Sequence, residues 1–213
     1  MSRHRTRRRP ATRRKPSGPA QPEASDGLKQ ATSTAPAWLR WALPVAIAAV
    51  TFVVFAPALN NEFVNWDDDK VLLQNHDFRG LRSEQIEWMF TAYVMGHYHP
   101  LTWMSFAVDY VIWGIDDAFG FHLTNMILHA VNAVLFYFLA VRLLALSMGN
   151  RQRQWGATLW LSAAMAALVF GVHPLRVESV AWATERRDVL SISFLIPCML
   201  CYLRYASGQA YRW

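Results

Sequence analysis

Apolar residues in this chain come in long unbroken runs rather than in the alternation of half-buried strands. The first run covers 38–59 (WLRWALPVAIAAVTFVVFAPAL) and would measure about 33 Å as a helix, enough to cross a bilayer core. Pro44 and Pro57 sit near its ends, where proline costs least. Three further runs, 121–146, 155–172 and 189–206, have spanning length or lie near its lower limit. The pattern predicts an all-α membrane protein with about four transmembrane helices. A cleavable signal peptide competes for the first run, because Ala56-Pro57-Ala58 resembles a small-residue cleavage site. The spans that follow favour an uncleaved anchor.

The segments between the runs have patterns of their own. Within 60–120, Ile86, Met89, Phe90 and Tyr93 fall at i, i+3, i+4 and i+7, the spacing of a one-faced helix, with Ser83 as its expected N-cap. The stretch LTWMSFAVDYVIWG after Pro100 is too short to span and is interrupted by Asp109. Both read as amphipathic helices lying along the membrane surface in a first outer loop. On the second span, His122, Asn125, His129 and Asn132 are spaced 3, 4 and 3 apart and so share one face. Such residues turn to a bundle interior or a wet cavity, which leaves interhelical hydrogen bonding and a transport path both open.

Charge orients this plan. The 213 residues are 54% hydrophobic and 17% charged, which excludes disorder for the whole chain. Residues 1–40 hold ten of the 21 Lys and Arg but two of the 15 Asp and Glu, so that end carries +8 and the remainder −2. The stretch 1–37 reads as a disordered basic tail. Next to a first span, it keeps that end cytoplasmic. The link 147–154 carries Arg151 and Arg153, and the end 207–213 carries Arg212, just past Arg204. Four alternating spans put all of these on the cytoplasmic side, with 60–120 and 173–188 outside. A nucleic-acid arm is the rival reading of the tail; no nucleic acid is expected as a partner. Cys198 and Cys201 lie inside an apolar run and read as buried thiols rather than a redox pair.

The outer loops hold the candidate chemistry. Asp67, Asp68 and Asp69 crowd three carboxylates just past the first span. A carboxylate there could take a proton from a hydroxyl or help bind a cation, and a solvated acidic turn is the alternative. Arg176, Arg186 and Arg187 stand on the side where positive charge is scarce. Glu178, Glu185 and Asp188 could pair with them, or an anionic ligand such as a lipid phosphate could. His99, His122, Glu178 and Glu185 could line a pocket beside these groups. A metal site built from His97, His99 and the aspartates has no diagnostic ligand spacing, so no metal ligand is assigned and a divalent cation is the one cofactor left open. The pattern HPLxxxSxA occurs twice, from His99 and from His173.

FVNWDDDK, HYHPLTWMSFAVDY, FHLTNMILHAVNAVLFY and VHPLRVESVAWATERRDVLS, in this order, resemble the transmembrane and tetratricopeptide-repeat proteins of the GT-C glycosyltransferase superfamily and their bacterial relatives. The resemblance implies a partial GT-C-like bundle in a bacterial inner membrane. It also implies transfer of a sugar from a polyprenyl-phosphate donor to a protein or glycan hydroxyl, with O-mannosylation of Ser/Thr the best-known case. Asp67 and Asp68 match the family's acidic pair, one of them acting as base. From their location alone, Arg176, Arg186 and Arg187 are candidates for the donor phosphate. Family members carry more spans and a C-terminal repeat array, and no 34-residue repeat is present here. The expectation is therefore a fragment or a shortened relative. A non-catalytic membrane scaffold and a transporter are the competing classes.

Overall fold

The computed structural model describes residues 38–148 and 152–208, without the side chains of 152–155. The basic tail, Arg151, the Arg153 side chain and Arg212 lie outside the described residues. The architecture is all-helical, and the described residues contain one isolated β-bridge, Val94 to His97, and no strand.

Helix α1 (Leu39–Phe55) continues through a tight 3-10 turn, Ala56–Asn60, into a single apolar segment of 22 residues. Helix α4 (Phe119–Met148) is the longest, and α7 (Arg186–Ala206) closes the chain's described part. These three are long and apolar enough to cross a membrane. Helix α5 (Gln152–Val172) qualifies only together with the short segment Pro174–Ala181, from which it is bent by 51° at His173. Three to four candidate spans result.

Helix α4 is the hub. Its small residues Ala133 and Ala140 meet Ala163, Ala164 and Ala167 of α5 and Ile47 of α1, and Tyr137 fills the space beside them. Where lipid removes most of the hydrophobic drive for association, such small side chains let helices approach closely. Val53, Val131, Met165 and Phe194 point outward from the same helices, as a lipid-facing surface requires. Cys198 and Cys201 are exposed, not buried as predicted. The run is apolar all round, so sequence could not separate its inward from its outward face.

The segment 60–120 holds helices in both of the places predicted. It folds over one end of the bundle around Leu72, Phe78, Met89, Trp103, Phe106 and Phe121. Helix α2 (Ser83–Thr91) contributes Met89 and the half-buried Trp88 to this core, while Ile86, Phe90 and Tyr93 remain exposed. Arg82, not Ser83, is the N-cap, and its N–H donates to Gln85 Oε1 at 3.1 Å. Helix α3 (Pro100–Trp113) starts with proline in its first turn, where the missing N–H is no loss. It stops at Gly114, whose φ of 79° favours glycine. Arg79 ties down the loop before α2 by donating to the carbonyls of Leu72, Leu73 and Asn75 at 3.2, 2.6 and 3.1 Å.

Gly171 marks a close crossing of α5 with α1 and α4. A Cβ there would stand 2.6 Å from Thr51 Oγ1 and 3.2 Å from Ala133 Cβ. Gly171→Ala should therefore lower unfolding stability by about 1–3 kcal/mol, the usual cost of overpacking. Adding Thr51→Ala should recover much of it. Thermal unfolding in detergent checks this; an unchanged midpoint for Gly171→Ala would disprove the close approach.

Candidate functional site

A buried cation organises the capped end of the bundle. Arg186, the first residue of α7, is fully buried. Its Nε donates to Asn125 Oδ1 at 2.7 Å and Nη2 to the Phe121 carbonyl at 2.7 Å. Nη1 donates to Ser105 Oγ at 2.9 Å and forms an ion pair with Asp109. The guanidinium also lies 4.8 Å from the centroid of Phe106. Asp109 accepts a second bond, from Thr124 Oγ1 at 2.7 Å. Burial raises its carboxyl above the ordinary range, and the Arg186 charge and Thr124 oppose that rise. Asn125 completes the cluster by donating to the Trp182 carbonyl at 2.9 Å. Helices α3, α4 and α7 are thus joined through one side chain.

The aspartate triplet divides into three environments. Asp68 is fully buried, accepting from Val64 N–H at 2.9 Å and Thr184 N–H at 3.1 Å, so it clamps the first loop to the start of α7. Asp69 accepts from Gln74 Nε2 at 2.7 Å within its own turn. Asp67 accepts no hydrogen bond among the described residues. It borders a cavity of about 90 Å³ together with Val94, His97, His99, Thr184, Glu185 and Arg187.

Of the three candidate arginines, only Arg187 reaches this cavity. It is ion-paired with Glu185 at 2.5 Å and its side chain is 40% exposed. Arg186 is spent on the interior cluster. Arg176 lies 4.6 Å from the Phe170 ring centroid, beside α5. Glu178 is exposed, away from the cavity lining. His99 packs on Trp103 with ring centroids 5.0 Å apart. Burial first, and then the Arg187 charge and His97, push its imidazole below the usual 6.5. It thus enters the cavity as a neutral group. Among the described residues no group of three or more His, Cys, Asp or Glu side chains is arranged to hold a metal ion.

The polar face of α4 is spent mostly on bolting helices together. His129 Nε2 lies 2.8 Å from the Gly171 carbonyl, and Asn132 donates to the Val189 carbonyl at 2.7 Å and accepts from Ser193 Oγ at 2.8 Å. His122 is fully buried, with its ring beside the backbone of Asn61 and Glu62. The repeated HPLxxxSxA pattern also has a structural counterpart. Each proline opens a helical turn, and both serines reach the start of α7: Ser105 receives Arg186, and Ser179 donates to Asp188 Oδ2 at 3.0 Å. Sequence reasoning missed Asp109 as a functional partner, treating it only as an interruption. A lone acid in an apolar helix was the available signal.

The chain is 30% identical over 182 residues to the protein O-mannosyl-transferase TMTC4 of Homo sapiens, a match that takes in 77% of this chain and 23% of that protein. It is likewise 30% identical to two Drosophila melanogaster protein O-mannosyl-transferases: Tmtc2, over 78% of this chain and 17% of the relative, and Tmtc1, over 74% and 18%. The chain therefore spans less than a quarter of the length of these curated relatives. No family model matches the chain, and no solved structure does.

Asp109→Asn should leave the Arg186 charge buried without its counter-ion and destabilise the protein by about 3–5 kcal/mol. The double replacement Asp109→Leu/Arg186→Met, which removes both charges, should cost less than Asp109→Asn alone. Urea unfolding in mixed micelles compares the two, and the reverse order would refute a charge-paired core.

Proposed function

Because the chain is homologous over most of its length to a small part of the TMTC protein O-mannosyl-transferases, we propose that it serves transfer of a sugar, mannose by analogy with those names. The donor is a polyprenyl-phosphate sugar and the acceptor a protein Ser/Thr or glycan hydroxyl. The observation that carries this reading is the cavity that Asp67 shares with Arg187. Asp67 has no competing hydrogen bond among the described residues, whereas Asp68 accepts two backbone N–H groups. Asp67 is therefore the base, and Asp68 holds the loop that carries it.

In the reaction, Asp67 takes the acceptor hydroxyl's proton as that oxygen attacks the anomeric carbon. The bond from that carbon to the phosphate oxygen breaks, and the polyprenyl phosphate leaves with the electron pair. A single displacement of this kind inverts the sugar carbon. The departing phosphate needs charge stabilisation, which Arg187 supplies with Glu185 holding its guanidinium in place. Arg186 acts through position only, since its donors are engaged by Asn125, Ser105, Asp109 and the Phe121 carbonyl. His99, kept neutral, adds a hydrogen-bonding wall without a second positive charge. By the distribution of Lys and Arg, the capped end faces away from the cytoplasm and both termini face into it.

Asp67→Asn should reduce transfer about 10²–10⁴-fold, the usual contribution of a general base, while leaving the melting temperature in place. Asp68→Asn should lower the melting temperature, because an amide offers one acceptor oxygen to two backbone donors. A transfer assay with a radiolabelled polyprenyl-phosphate mannose, run beside thermal unfolding, separates the two. Unchanged transfer by Asp67→Asn returns the chain to the scaffold class. For orientation, Lys70→Cys in a Cys198→Ala/Cys201→Ala background should react with an impermeant maleimide from the non-cytoplasmic side; labelling from the cytoplasm would reverse the topology.

A further inference from the structure

Helix α3 has two unlike faces. Thr102, Trp103, Phe106, Ala107 and Asp109 are buried, and Ser105 and Asp109 on this side receive Arg186. Its exposed residues are Leu101, Val108, Val111, Ile112 and Trp113, all apolar. Leu101, Val108, Val111 and Ile112 follow helical spacing and form one stripe opposite the buried side. A face turned to water carries polar side chains, and α2 shows this: Ser83, Glu84, Glu87 and Thr91 stand exposed beside Ile86 and Phe90. Both helices belong to the same cap, yet the outer stripe of α3 is bare of charge.

The contacts of α3 place it at the mouth of the bundle rather than down its side. Phe106 meets Phe121 at 6.1 Å between ring centroids, Asp109 accepts from Thr124, and Trp113 meets Phe119 at 5.5 Å, all within the first turns of α4. The N-terminal half of α3 turns instead to the cap, where Trp103 packs on Phe78 and Trp88 at 5.8 and 5.2 Å. At 14 residues α3 is about 21 Å long, short of the roughly 30 Å hydrocarbon core. The exposed Asp116 and Asp117 lie in the link from α3 to α4. Carboxylates are costly in hydrocarbon, so that junction stands at the aqueous boundary.

We propose that α3 lies in the membrane interface, with Leu101, Val108, Val111 and Ile112 seated among the acyl chains of the leaflet on the capped side, and that α2 stands in water. A helix that meets a span at its first turns and is too short to cross has the leaflet as its neighbour. A stripe without hydrogen-bonding groups gives a protein partner nothing to fix its register, whereas fluid acyl chains need no register. Trp113, exposed at the end of α3, is of the type that settles at headgroup level. The stripe would reach about 5–10 Å into the boundary between headgroups and chains. The leaflet and Arg186 then hold opposite faces of one helix, so the element that anchors the start of α7 also seats the cap on the membrane. This seating stands whether or not the chain is a transferase.

The test uses the full chain in lipid nanodiscs, whose two faces are both open to solutes, in the Cys198→Ala/Cys201→Ala background. Val108→Cys, Ile112→Cys and Phe90→Cys each receive an environment-sensitive nitrobenzoxadiazole label. At positions 108 and 112, a phosphatidylcholine with a doxyl group high on its acyl chain should remove more than about half of the emission, and aqueous iodide should remove little. A doxyl group near the methyl end of the chain should quench less than the shallow one. Phe90→Cys should show the reverse, with quenching by iodide and little by lipid. Quenching of 108 and 112 by iodide alone puts the stripe in water, and quenching by neither reagent puts it under protein; either result overturns the proposal. So does stronger quenching by the deeper doxyl group, or a lipid response at 90 equal to that at 108. Val111→Cys, on the same stripe, decides the matter should either of the other α3 variants lose its helical circular dichroism.

Discussion

The capped end of this bundle depends on one buried guanidinium. Arg186 reaches the backbone of α4 at Phe121, the side chain of Asn125 on the same helix, and Ser105 and Asp109 on α3. An arginine taken fully out of water is tolerated only when its donors are engaged and its charge is answered. Both conditions are met here. Because Arg186 begins α7, the same contacts set where Thr184, Glu185 and Arg187 emerge. Thr184 in turn donates its N–H to Asp68, and so the first loop is registered against the second. The cavity beside Asp67 is a consequence of that registration.

The two ends of the bundle have been given opposite electrostatic tasks. Every Asp and Glu after residue 40 falls between 62 and 117 or between 178 and 188, the segments that make up the cap and the start of α7. The far end carries Arg142 and Arg204. Between the ends, polar groups are few and are used to join helices: His129 meets the Gly171 carbonyl, and Asn132 meets the Val189 carbonyl. A hydrogen bond of this kind inside an apolar bundle fixes rotation of one helix against another, which packing of alanines alone would leave loose.

Much of the fold could be read from the chain. The spacing of His122, Asn125, His129 and Asn132 placed four polar side chains on one face of α4, and all four are buried in the bundle. The all-α membrane class and the number of candidate spans followed from the length of the apolar runs. The amphipathic reading of 60–120 was less complete. It found the α2 and α3 regions, but it assigned the apolar face of α2 to a membrane surface. The structure turns Met89 inward on Trp103 and Phe78 and leaves Phe90 exposed. Helical periodicity says that a face exists, and nothing about whether lipid or protein covers it. The resemblance read from the sequence likewise pointed to Asp67 and Asp68 together, without separating one from the other.

The sequence by itself determined what local pattern and composition can determine: which segments are helical, which are apolar enough for a membrane, and which ends carry which charge. Those properties depend on residues within a few turns of one another. Tertiary structure alone decided which of several like residues is buried and which borders the cavity. Asp67 and Asp68 are adjacent and chemically identical, and so are Arg186 and Arg187. One of each pair is buried against groups far away in the chain, Thr184 for Asp68 and Asp109 for Arg186, while the other borders the cavity. A carboxylate or guanidinium takes its role from the partners and the water around it, and these are set by contacts that span the whole bundle.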